Sequence, residues 1–153
     1  MSKISKIRAR QVFDSRGNPT IEAEVYSKNL SASAICPSGA STGTYEAFEK
    51  RDNNNKKYLG KSVLGAVNLV NTKISKKLTG ENIHDQTRID TILINLDGTR
   101  QKTSLGANAI LAVSMATKKL SAKIKNIPLY KTLVGKVICN YSLLKKFYIK
   151  GFP

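Results

Sequence analysis

One short segment concentrates the residue types that chemistry needs. Residues 37–43 read PSGASTG, with two glycines, one proline and three hydroxyl side chains (Ser38, Ser41 and Thr42) in seven positions. Hydroxyl and carbonyl oxygens suit a hard cation such as Mg²⁺, which takes octahedral oxygen coordination and is often shared with substrate phosphate. The glycines can absorb the backbone rotations of a closing lid. The same composition equally describes a plain strand-to-helix connection, where Gly, Ser and Pro dominate because of their turn geometry. The GxxxxGK[ST] pattern of a phosphate-cradling P-loop is absent from the sequence.

Other reactive types are sparse. His84 is the single histidine, next to a helix start, and reads as a surface residue rather than a general base. Glu46 and Glu49 stand three apart just after the segment and read as ordinary polar residues rather than an acid/base or metal pair. Asp14 and Arg16 belong to DSRGNP, a turn-forming run. Cys36 and Cys139 are far apart with no CxxC spacing, which points to a reduced, cytoplasmic chain.

The elements that must position these residues are legible from periodicity. Strands are predicted over 7–13, 20–26 and 31–36. In the second, Ile21, Ala23 and Val25 alternate with Glu22, Glu24 and Tyr26. The period then changes. Val63, Val67, Val70, Ile74 and Leu78 share one helical face and Gly80 follows as a stop. Further helices are predicted over 85–96, 107–124 and 129–134, the last opened by Pro128 and closed by Gly135. Strands followed by helices define an α+β fold: a small antiparallel three-stranded sheet with helices packed on one face. The run NNNKK at 53–57 reads as a loop.

Length and charge bound the rest. The 153 residues suit one domain with its own core. No apolar run approaches the ~20 residues of a membrane span. A net charge of +16 raises nucleic acid as a partner. However, 20 of the 26 basic residues are lysines scattered from Lys3 to Lys150, whereas base and phosphate readers favour arginine. Abundant Lys, Asn and Ile fit an A+T-rich coding bias, so the charge reads as solvated surface.

DSRGNPT (14–20), PSGASTG (37–43), RD at 51–52 with GK at 60–61, LDGT (96–99), LGANAILAVS (105–114) and PLYK (128–131) occur in that order. This set resembles the N-terminal domain of enolase, the glycolytic lyase also called phosphopyruvate hydratase, over roughly residues 1–134. The resemblance implies Mg²⁺-dependent dehydration of 2-phosphoglycerate to phosphoenolpyruvate. It implies that Ser41 is a Mg²⁺ ligand, with Gly39, Ala40, Thr42 and Gly43 shaping the substrate loop. It places Arg10 and Glu22 at a homodimer interface, where the alternative is a solvated strand face.

Most of an enolase is a C-terminal β/α barrel that carries the metal carboxylates, the base and the acid, and no barrel motif follows PLYK here. Residues 135–153 are read as a truncated or out-of-frame tail, and the chain as a fragment that is inactive alone. The alternatives are a non-catalytic basic module for RNA or another anionic partner, and a non-functional gene remnant.

Overall fold

The computed structural model describes residues 2–37 and 46–133. The chain opens with an antiparallel meander of β1 (Lys6–Phe13), β2 (Pro19–Ser27) and β3 (Leu30–Cys36), in that spatial order. Pairing runs from Lys6 opposite Tyr26 to Phe13 opposite Pro19, and from Ile21 opposite Cys36 to Ser27 opposite Leu30. This register puts the alternation to use. Ile21, Ala23 and Val25 are fully buried on one face, and Arg8, Arg10, Glu22 and Glu24 line the other. The predicted strands are present, each extended by a residue or two where turn geometry still permits pairing.

Helices cover the apolar face, as the α+β reading requires. The first runs through α1 (Leu64–Leu69), a π-helical turn (Val70–Ile74) and α2 (Ser75–Leu78). Ala66, Val70, Ile74 and Leu78 are all fully buried. A strict spacing of four drifts around a 3.6-residue helix. One wider i→i+5 turn winds more slowly and brings the stripe back to the sheet. The predicted helix did not contain this turn. Gly80 follows in the left-handed region, with φ of 92°.

Next comes α3 (Gln86–Asp97), whose N-cap Asp85 accepts from the Arg88 N–H and whose C-cap Gly98 is left-handed. The central helix, α4 (Ala107–Ile124), packs across β2 and β3. Its buried face is rich in alanine (Ala109, Ala112, Ala116), which lets the helix approach the sheet closely. Val113 and Leu120 fill the remaining space. A short α5 (Leu129–Leu133) ends the described part; its predicted last residue, Val134, and the tail 135–153 lie outside the described residues.

The core reaches further towards the N-terminus than periodicity indicates. Ile4 is 1% exposed, and its N–H and C=O bond to the Glu81 carbonyl (3.0 Å) and the Gly80 N–H (2.9 Å). No helix among the described residues is long and apolar enough to cross a membrane.

Candidate functional site

Gly39, Ala40, Ser41, Thr42 and Gly43 lie outside the described residues, as do their neighbours within 38–45. The structure does describe both stems that hold the segment. On the N-terminal side, Cys36 pairs with Ile21, and its carbonyl accepts from the Thr20 hydroxyl. The half-buried Cys36 thiol is pushed up in pKa by burial and by the nearby Glu49 charge.

On the C-terminal side, residues 46–52 are tied to the start of α4. The Phe48 N–H donates to the Gln101 carbonyl (2.7 Å), and the Phe48 carbonyl accepts from the Ala107 N–H (2.8 Å). Asn108, only 3% exposed, accepts from the Lys50 N–H (3.2 Å) and donates through Nδ2 to the Lys50 carbonyl (3.0 Å). Gly106 makes the close approach possible: a Cβ there would lie 2.5 Å from the Lys50 Cβ. Its φ of 94° also excludes most side chains.

Arg51 and Asp52 continue the strap. Arg51 donates to the carbonyls of Pro19 (3.2 Å) and Lys61, and to Glu49 Oε1 (2.8 Å). Glu49 therefore balances a guanidinium, and Glu46 stays exposed, so the two do not form an acid/base pair. Asp52 accepts from the N–H groups of Leu64 (2.9 Å) and Gly65 (2.8 Å), capping α1. Burial disfavours its charge, but the hydrogen bonds from Gly65, Ser62 and Leu64 outweigh that and hold its pKa below the ordinary value.

The turn before β2 is built around Asp14, as its sequence indicates. Oδ1 accepts from the N–H groups of Arg16 (2.8 Å) and Asn18 (2.9 Å), and Oδ2 faces the Arg16 guanidinium at 3.8 Å. The Asn18 N–H is the largest of several influences that lower its pKa. An open cavity of about 440 Å³ lies beside this turn, lined by Asp14, Glu22, Ile35, Pro37 and Lys119 among others.

Arg10 and Glu22 face each other across β1 and β2, with Nε to Oε2 at 2.6 Å. The pair is lopsided: the Arg10 side chain is 68% exposed, the Glu22 side chain only 12%. His84 is elsewhere and is more than a surface residue, because Nδ1 lies 2.9 Å from the Ser121 hydroxyl. Ser121 is thirteen residues along α4 from Asn108, roughly 20 Å at the helical rise. That distance removes His84 from any chemistry at the stems.

Asn108 and Gly106 escape composition-based reading. The available signal was a polar Asn on the apolar face of α4, two residues after a glycine. Among the described residues, no group of three or more His, Cys, Asp or Glu could hold a metal.

The described architecture is a three-stranded meander backed by α4, with Lys50 held by Asn108. The family described as "Enolase, N-terminal domain" matches residues 4–133, and the chain belongs to that family. It is 88% identical over 143 residues to the enolase of Pelagibacter ubique (strain HTCC1062), covering 94% of this chain and 34% of that protein. It is 58% identical over 138 residues to the enolase of Methanococcus vannielii, covering 90% of this chain and 32% of that protein. The chain thus spans about a third of the length of these relatives.

Proposed function

We propose that these residues supply the N-terminal part of a lyase that removes water from 2-phosphoglycerate to give phosphoenolpyruvate, a glycolytic step carried out in the cytoplasm with Mg²⁺. The observation that carries this reading is the 88% identity to a protein named Enolase. In this reaction a base takes the proton beside the substrate carboxylate, and bound Mg²⁺ supplies charge stabilisation for the resulting enolate.

Ser41 would offer oxygen to the metal, and Gly39, Ala40, Thr42 and Gly43 would shape the segment that carries it. The described residues do not form a Mg²⁺ centre of their own. Asp14, Asp52 and Asp97 already accept backbone N–H groups, and no acidic cluster remains. No step through the metal is therefore assigned to them. Their contribution is to hold the stems through Thr20, Asn108 and Arg51.

The base, the acid and the strong metal ligands belong to the two-thirds of a relative that this chain does not span. These 153 residues on their own accordingly leave 2-phosphoglycerate unchanged. Arg10 and Glu22 are assigned to contact with a second copy.

The test is phosphoenolpyruvate formation from 2-phosphoglycerate with Mg²⁺. The chain alone should give none. The Pelagibacter ubique protein with its matching 143 residues replaced by those of this chain should be active, and S41A in that chimaera should lower kcat. A folded but inactive chimaera would overturn the family activity, and turnover by the 153 residues alone would overturn their inertness.

A further inference from the structure

A three-stranded sheet has two edges, and a bare edge offers N–H and C=O groups to any passing strand. Here the edges are β1 and β3. On the β1 side, the Ala9 N–H donates to Asn71 Oδ1 (2.7 Å), and Asn71 Nδ2 donates to the Ala9 carbonyl (3.0 Å). One side-chain amide thus occupies the place of a neighbouring strand's peptide group. Asn71 sits in the π-helical turn, the widened part of the first helix.

On the β3 side, Lys123 Nζ donates to the Ser31 carbonyl (3.0 Å) and Lys119 Nζ to the Ser33 carbonyl (3.2 Å). The spacings match: four helical residues rise about 6 Å, and two strand residues about 6.8 Å. Lysines four apart on α4 therefore meet alternate carbonyls of β3. At the end of β3 stands Pro37, which has no N–H to offer a partner.

We propose that Asn71, Lys119 and Lys123 form an edge-sealing device that keeps the sheet from pairing with a strand of a second copy of this chain. The lysine bonds are exposed, so their contribution to folding stability is small. Their effect falls on the competing assembly. A strand added at β3 would have to displace two ammonium groups from the carbonyls it needs, and one added at β1 would have to displace an amide bonded twice.

The test uses the 153-residue chain, agitated at one concentration, with the lag before thioflavin-positive assembly and the loss of monomer as readouts. K119A/K123A should shorten the lag several-fold while Tm stays within about 2 °C. N71A should act in the same direction. K76A/K77A removes the same charge from exposed lysines of α2 and should move the lag much less. A K119A/K123A lag equal to that of K76A/K77A would reduce the effect to net charge and overturn the proposal. So would assemblies without a cross-β signature. Because N71A can also loosen the first helix, the lysine pair is the deciding variant.

Discussion

Asn108 holds both backbone polar groups of Lys50, a residue 58 positions earlier, with one buried side-chain amide. That pair of bonds joins the central helix to the C-terminal stem of residues 38–45. It fixes where the chain re-enters the described fold after the Ser41 segment.

Asn108→Ala removes both partners at once and leaves the Lys50 N–H and C=O without their acceptor and donor. The expected cost is about 1–3 kcal/mol, a fall in Tm of roughly 3–10 °C for a chain of this size. Thermal melts by circular dichroism measure it, and an unchanged Tm would show that water substitutes fully for the amide.

Gly106→Ala should be at least as damaging. Its Cβ would meet the Lys50 Cβ at 2.5 Å and Asn108 Oδ1 at 2.6 Å, with φ of 94° besides. Both contacts belong to the same clamp. The double variant G106A/N108A should therefore lose less than the sum of the two single losses, as read from urea midpoints.

Stability should fall on the acid side in two stages. The His84 pKa is lowered from 6.5, chiefly by burial and also by the Lys125 charge. As pH drops through 6.5 the unfolded chain therefore takes up this proton first, and stability decreases until the folded pKa is passed. Asp97 is lowered from 3.8: burial opposes its ionisation, but bonds from Thr99 and from the Leu105 N–H outweigh burial. Its contribution is whole above 3.8 and is lost as pH falls through the folded value. H84N should flatten the first stage. D97N should make the second shallower without removing it, because Asp14 and Asp52 are lowered too, and should also lower stability at neutral pH. Urea titrations between neutral pH and pH 3 check both.

Arg10→Ala should change monomer stability little, because the guanidinium is largely solvated. If the Arg10–Glu22 face also meets a second copy, Tm of the parent chain will rise with protein concentration, and R10A will weaken that dependence. A parent Tm that is flat across concentrations counts against the dimer reading for these residues.

Salt should stabilise the chain. All four ion pairs among the described residues use arginine, leaving the lysine charge to repel itself across the surface. Raising NaCl from low ionic strength to physiological levels should raise Tm. A fall in Tm would mean that the arginine pairs outweigh the lysine field.

Local pattern carried most of the architecture. Alternation in 20–26 marked the buried face of β2, and the bounds of α4 coincide with those predicted. Ordered motifs carried the family, from DSRGNPT to PLYK. The π-helical turn was invisible, because residues spaced by four look the same on a regular helix and on one with a widened turn. Ile4 was missed because a lone apolar residue among Lys3, Ser5 and Lys6 has no period; only strapping to Gly80 and Glu81 buries it. His84 looked solvent-facing because nothing in its neighbours announces Ser121.

What the amino-acid sequence determined by itself is therefore the order and type of the elements, their buried faces, and membership of the family. These follow from one-sided burial, which writes itself into short-range periodicity, and from motif order. Only the tertiary structure decided which polar groups act together: Asn108 with Lys50, Asn71 with Ala9, and Lys123 with Ser31. Those partners are 58, 62 and 92 residues apart. Their meeting depends on how α4 and the first helix lie against the sheet, a matter of packing that no local spacing encodes.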